Sequence, residues 1–317
     1  MIKDNENRSQ IVISDDRHGL PFSKGLIASS LTATGLSPSR SHKVARIIEQ
    51  HLIETGRFSI GVETLRQVVY EQLLSHEGKG YADTYRRWQT LLHIDRPMII
   101  LIGGTTGVGK STIATTLAHR LGITHIVATD ALREVMRTVL SEELIPALHE
   151  STFLAYKAIN RPIEGDPLVA GFREQTKVVA VGVRAVVDRA IKEGLNMVIE
   201  GVHVVPGFIR SRLSENAVII PLIITVDNEE LHRSHFYVRD AQTEGSRPYE
   251  RYRDNFESIR RIGDYIVDLA HEYDIPVLVS HSLDKTIIAA QEVVLNRVLG
   301  PVEEGVKGLL DEAKKED

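Results

Sequence analysis

Met98-Ile99-Ile100-Leu101-Ile102-Gly103-Gly104-Thr105-Thr106-Gly107-Val108-Gly109-Lys110-Ser111-Thr112 is the stretch whose reading decides the fold. Its first five residues are an unbroken apolar run, the pattern of a strand buried on both faces, and Gly103-Gly104 ends it. Gly104 through Ser111 then fits G-x-x-x-x-G-K-[ST]. Ile113, Leu117 and Leu121 recur every fourth residue, which marks one packed face of a helix closed by Gly122. Strand, glycine-rich loop and helix in this order form a cradle for a triphosphate. The glycines let consecutive backbone N–H groups turn inward on phosphate oxygens, and the helix N-terminus adds the positive end of its dipole. Lys110 is expected to reach the β- and γ-phosphates, and the Ser111 hydroxyl to ligate Mg²⁺. The expected ATP-binding set is Gly104, Thr105, Thr106, Gly107, Val108, Gly109, Lys110, Ser111 and Thr112.

Outward from this stretch the pattern alternates. Apolar runs recur at Ile126–Ala128, Met197–Ile199, Ile219–Val226 and Pro276–Val279. Helical periodicity covers Lys110–Leu121, Asp130–Leu140, Thr176–Lys192, Tyr249–Tyr273 and Lys285–Leu299. This alternation predicts an α/β fold, a parallel five-stranded sheet flanked by helices with right-handed crossovers. Residues 141–175 read as an insertion whose loops are shaped by Pro162, Gly165-Asp166-Pro167 and Gly171.

Before Met98 the pattern differs. Ile11–Ile13 reads as a short strand entering a turn, and from Ser23 to Trp88 the apolar residues recur at helical spacing. Breaks at Gly35–Pro38, Gly56–Ser59 and Gly78–Gly80 divide that stretch into three or four short helices. The expected organisation is a disordered polar tail over 1–10, a mostly helical domain over 11–94, a nucleotide-binding domain over 97–300 and a charged tail over 301–317. Asp95-Arg96-Pro97 is the expected linker. A length of 317 residues suits two domains.

Composition removes several classes of function. With no cysteine the chain holds no disulfide, thiolate zinc site, iron–sulfur cluster or thiol nucleophile. Lys plus Arg is 38 against 43 Asp plus Glu, a net charge of -5 that gives no global attraction to nucleic acid or an anionic membrane. No apolar run approaches the ~18 residues that span a bilayer. MIKDNENRSQ at the N-terminus has the pattern of neither a signal nor a transit peptide. The expectation is a cytoplasmic protein acting on a small molecule, without nucleic acid or membrane, with homo-oligomerisation possible.

The residues around the cradle extend the chemistry. Asp130 follows the second apolar run, where small-molecule kinases of this layout place their acceptor just beyond a strand end. It could orient an acceptor hydroxyl or take its proton. Arg133 and Arg137, four apart on one helix face, could clamp an anionic acceptor in forks; the structural alternative is a capping residue followed by solvated arginines. Glu200 ends the run Met197-Val198-Ile199, in position to hold Mg²⁺ or its waters, with Gly201 permitting close backbone approach. His203 follows as a weaker acceptor ligand. Arg233, Arg239, Arg247, Arg251, Arg253, Arg260 and Arg261 crowd the segment after the fourth run, offset in part by five acids. Arg233, Arg239 and Arg247 are the expected lid arginines, with Arg239 catalytic on the transferring phosphoryl group. Arg251, Arg253 and Arg261 read as solvated i,i+4 partners. Lys157, Arg161 and Arg173 are lesser candidates for covering the acceptor.

The stretches GGTTGVGKS (103–111), ATDALREVMR (128–137), VIEGVHVVPG (198–207) and FYVRD with RPYERYRDNFESIR (236–240, 247–260) together resemble the archaeal 2-phosphoglycerate kinases, from about residue 10 to 300. The resemblance implies a P-loop kinase that transfers phosphate from ATP to 2-phosphoglycerate, giving ADP and 2,3-bisphosphoglycerate, in methanogens the route to the cyclic form. Residues 11–93 resemble an ATP-cone, on IVISDDRHGLPF (11–22), the helices after it and Tyr81-Ala82-Asp83-Thr84-Tyr85-Arg86. Ser14-Asp15-Asp16-Arg17 stands where cones carry a lysine-arginine pair, and Leu26 where a second lysine is usual. With those phosphate-contacting cations missing, structural or oligomerisation use stands ahead of nucleotide sensing.

Residues alone leave rivals open. One is a kinase for another small phosphorylated anion, a sugar or inositol phosphate. The other is a non-catalytic nucleotide-sensing regulator, which the absence of cysteine makes unlike the zinc-ribbon regulators and reductases that carry cones.

Overall fold

The structure is a computed structural model that describes residues 11–14, 19–91, 94–159, 162, 164–209, 213–242 and 248–300. The expected tails, Asp15-Asp16-Arg17 of the cone-like turn, Arg161 and Arg247 lie outside the described residues. The described chain divides into two units, one running to Ile94 and the other from Asp95 to Val298.

In the first unit β1 (Val12–Ser14) pairs antiparallel with β2 (Gly19–Pro21) and parallel with β3 (Ser59–Gly61). Four helices accompany this ribbon: α1 (Lys24–Thr32), α2 (Pro38–Glu54), α3 (Val62–His76) and α4 (Lys79–Leu91). Side-chain caps start the first two, with Ser23 accepting from the Leu26 amide and Ser37 from that of Arg40. The helices end at Gly35, Gly56 and Gly78, each at a positive φ that a Cβ disfavours. Leu31, Val44, Ile48, Leu52, Val69 and Leu73 fill the core. β3 is a strand that the break at Gly56–Ser59 conceals: only Ile60 of its three residues is buried, too short a pattern to read.

The second unit runs β4 (Met98–Gly103), α5 (Lys110–Arg120), β5 (His125–Ala128), α6 (Thr129–Val139), α7 (Pro146–His149), α8 (Pro167–Glu193), β6 (Met197–Glu200), β7 (Val218–Thr225), α9 (Glu229–Gln242), α10 (Tyr249–Arg253), α11 (Phe256–Glu272), β8 (Val277–Val279) and α12 (Leu283–Leu299). Its five strands lie in the order β5-β6-β4-β7-β8, all parallel. The α/β expectation holds strand for strand. β4 and β6 are buried along their whole length, which is why they read as continuous apolar runs. Register aligns Ala128, Ile102 and Glu200, and pairs Gly103 with Ile223. Glu200 is thereby delivered to the carboxyl edge, beside the loop that leaves β4. Among the described residues no helix is long and apolar enough to cross a membrane.

Two helices differ from expectation. α8 begins at Pro167, nine residues earlier than the periodicity indicates, because Asp166 caps it through the Leu168 amide (2.9 Å) and Pro167 occupies the first turn. Gly171 therefore lies inside a helix. A Cβ there would stand 2.3 Å from the Tyr156 backbone nitrogen, so glycine serves close packing. The segment Tyr249–Tyr273 is two helices, with Asp254 and Asn255 between them. Asn255 Nδ2 donates to the Arg251 carbonyl (2.8 Å), a side-chain bond that competes with the helical ladder.

Candidate active site

The loop between β4 and α5 opens on a cleft of about 610 Å³ at the carboxyl edge of the central strand. Thr106, Gly107, Gly109, Lys110, Ser111 and Thr112 line it, together with Asp130, Glu200 and Arg239. Gly104 and the side chains of Thr105 and Val108 belong to the loop but do not line the cleft. Val108 is fully buried, and the Thr105 hydroxyl donates to the Ile259 carbonyl (2.8 Å). Gly104, at φ +132°, has no room for a Cβ, which would stand 2.1 Å from the Ile224 carbonyl oxygen.

Lys110 is 8% exposed and donates from Nζ to the Thr105 carbonyl at 2.6 Å. Burial lowers its pKa, and the charges of Glu200 and Asp130 pull it back up. Ser111 Oγ donates to Glu200 Oε1 at 2.9 Å. These two oxygens beside a buried ammonium fit Mg²⁺, a hard cation that takes one or two protein oxygens and completes its shell with water and phosphate oxygens.

α6 presents Asp130, Arg133 and Arg137. Asp130 stands on the cleft wall, while the arginines stand beyond it in a partly buried layer. The Nε atoms of both are buried and have no hydrogen-bond partner among the described residues. Arg137 also pairs with Glu134 at 2.8 Å. Burial lowers the Arg133 pKa; Asp130 counters it, and the charges of Arg137 and Arg251 press it further down. Two guanidinium groups with unused buried donors and a third cation nearby are an electrostatic cost that a bound anion would relieve. Neither Thr129 nor Asp130 caps α6: the cap position is Ala128, which makes no side-chain bond.

His203 does not reach the cleft, which corrects its reading as an acceptor ligand. Its ring is fully buried and both nitrogens are engaged. The Gln175 amide donates to the Ala147 and Glu150 carbonyls, so its Oε1 faces His203 Nε2 at 2.9 Å. Nε2 must then carry the proton, and Nδ1 accepts from the Thr129 hydroxyl at 3.1 Å. Burial lowers the ring's pKa to about 4, so Asp130 at 4.0 Å faces a neutral imidazole. The histidine instead ties α6, β6 and α8 together behind the cleft.

Of the expected lid arginines, Arg239 on α9 lines the cleft, with its guanidinium 5.8 Å from the Tyr252 ring centroid. Arg233 does not: it lies over Phe256 at 3.6 Å and pairs with Glu229 at 3.9 Å. The three arginines read as i,i+4 partners find others instead. Arg251 donates to Ser151, Arg253 pairs with adjacent Asp254, and Arg261 pairs with Asp166. Lys157 and Arg173 are exposed and line no part of the cleft. His235 and Val238 of α9 and the residues Ser280–Leu283 after β8 also stand on the cleft wall, unmarked by any sequence motif. Nothing local distinguishes them; their position at the carboxyl edge is the only signal.

A central parallel strand feeding a glycine-rich loop, with lysine, serine and a strand-end carboxylate gathered around it, defines a P-loop phosphotransferase. Three archaeal proteins named 2-phosphoglycerate kinase align along nearly the whole chain. That of Methanopyrus kandleri is 38% identical over 290 residues, 92% of this chain and 88% of its own. That of Pyrococcus furiosus is 38% identical over 305 residues, 96% and 99% of the two chains. That of Methanocaldococcus jannaschii is 38% identical over 310 residues, 98% of each. The chain belongs to the 2-phosphoglycerate kinase family. No protein-family model matches it. Among solved structures, a shikimate kinase from Acinetobacter baumannii in complex with shikimate covers 67% of this chain and 97% of its own, at 17% identity and a TM-score of 0.39.

Proposed function

We propose that the protein transfers the γ-phosphoryl group of ATP to the hydroxyl of 2-phosphoglycerate, releasing ADP, 2,3-bisphosphoglycerate and a proton. The observation that carries this reading is one cleft wall holding Lys110, Ser111, Glu200 and Asp130, with the buried donors of Arg133 and Arg137 just beyond it. The loop amides and Lys110 hold the triphosphate. Ser111 and Glu200 would hold Mg²⁺, which when bound neutralises charge on the phosphates. Asp130 orients the acceptor hydroxyl and takes its proton on a carboxylate oxygen. Arg133 and Arg137 bind the acceptor's carboxylate and phosphate in forks, so that two anionic substrates can share the site. Arg239 faces the transferring group and offsets the charge that spreads over its oxygens.

The test is ATP consumption with Mg²⁺ against a panel of phosphorylated acids, sugars and inositols. Turnover with 2-phosphoglycerate well above every other member is the expected result. Preference for a sugar or inositol phosphate would overturn the acceptor assignment, and ATP binding without acceptor-dependent ADP release would revive a regulatory role. Arg133→Ala should raise the 2-phosphoglycerate KM by about tenfold or more, the size of a lost charge-assisted hydrogen bond, and leave the ATP KM near its original value. An unchanged acceptor KM would move the acceptor site elsewhere.

A further inference from the structure

Two histidines of α9 address successive carbonyls of the phosphate loop. His232 and His235 are three residues apart on one helix face. Nε2 of His232 is 2.8 Å from the Thr106 carbonyl oxygen, and Nδ1 of His235 is 2.8 Å from that of Gly107. A carbonyl oxygen only accepts, so His232 carries its proton on Nε2 and His235 on Nδ1. His232 is fully buried, between Phe236 at 5.1 Å and Phe256 at 5.3 Å, and its Nδ1 has no partner among the described residues. The helix rests directly on the loop. A Cβ on Gly107 would stand 2.5 Å from the Phe236 ring and 3.1 Å from His232 Nε2.

A loop that turns its N–H groups inward on phosphates must turn its carbonyls outward, where they need donors of their own. The peptide unit is planar, so anchoring the Thr106 carbonyl fixes the direction of the Gly107 N–H. Anchoring the Gly107 carbonyl does the same for Val108. We propose that His232 and His235 are positioning residues for the triphosphate, holding these two carbonyls so that the amides of Gly107 and Val108 stay aimed at phosphate oxygens. The inference rests on the reading of this loop as the ATP cradle.

The test is ATP affinity by calorimetry with Mg²⁺, beside the KM of each substrate, in the full-length chain. His235→Leu removes the donor, whereas His235→Asn keeps an amide N–H near the place of Nδ1. His232→Leu and His232→Gln do the same for Nε2. The Leu variants should weaken ATP binding about tenfold each, the size of a lost neutral hydrogen bond, with the acceptor KM within twofold. The Asn and Gln variants should recover most of the loss. Should His232→Leu fail to fold by circular dichroism, the His235 pair decides alone. A folded His235→Leu chain that binds ATP as the unmodified chain does, or an Asn variant as impaired as the Leu variant, would overturn the proposal and leave the cradle standing. An unmodified chain that takes up no ATP would overturn both.

Discussion

Lys110 is 8% exposed and donates to the Thr105 carbonyl, its pKa lowered by burial against the opposing charges of Glu200 and Asp130. Lys110→Ala should therefore abolish turnover while circular dichroism shows the fold intact; near-native turnover would remove the lysine from the mechanism. The buried histidines give a second outcome at this scale. His203 and His232 have folded pKa values of about 4, below the 6.5 of a free imidazole, because burial disfavours the charged ring. Above pH 6.5 both are neutral folded or unfolded, so they contribute no pH dependence. Between 6.5 and 4 the unfolded chain binds their protons and the folded chain does not, so stability falls as pH falls through that window. The charged and titratable groups facing them are Asp130, Arg133 and Lys110 for His203, and Arg260, His235 and Lys110 for His232. Urea midpoints should drop between pH 6.5 and 5, and His203→Gln should flatten the drop. A flat profile in the original chain would show that these rings are not held neutral.

At the scale of elements, capping and close packing place the site. Asp166 starts α8 and also pairs with Arg261 of α11, so Asp166→Ala should cost about 1 kcal/mol in urea unfolding, the usual worth of an N-cap. No measurable change would mean that Pro167 suffices to start the helix. Gly201, at φ +149°, is where β6 meets α6: a Cβ would stand 1.8 Å from the Thr129 hydroxyl oxygen. Gly201→Ala should lower the melting temperature and raise the acceptor KM by displacing the start of α6; equal kinetics in a folded variant would separate that contact from the site. The strands were legible because parallel strands buried on both faces leave continuous apolar runs, as Met98–Ile102 does. The cradle was legible because its glycines, Lys110 and Ser111 are contiguous. His232 and His235 were not, since their partners lie 126 and 128 residues away and a bond to a backbone carbonyl imposes no residue type on the partner. His203 misled for the same reason: its position after β6 suggested the cleft, while Thr129 and Gln175 turn it into the core. The start of α8 was hidden because Gly165-Asp166-Pro167 reads as a turn until its cap is seen.

For the whole molecule, the proposed reaction needs one nucleotide per chain, bound in the second unit. The first unit has its own core around Leu31, Ile48 and Leu73, and Ser14-Asp15-Asp16-Arg17 stands where its resemblance to a cone would imply a lysine-arginine pair. Calorimetry with Mg²⁺ should return one ATP per chain, lost in Lys110→Ala, and a second site surviving that substitution would assign nucleotide binding to the N-terminal unit. The proposed transfer runs between two small anions, and phosphorus NMR of the reaction mixture observes both. With ATP, Mg²⁺ and 2-phosphoglycerate, the γ-phosphate resonance should disappear as ADP and the two monoester resonances of 2,3-bisphosphoglycerate grow in equal proportion. ADP accompanied by inorganic phosphate, with 2-phosphoglycerate left unchanged, would contradict it.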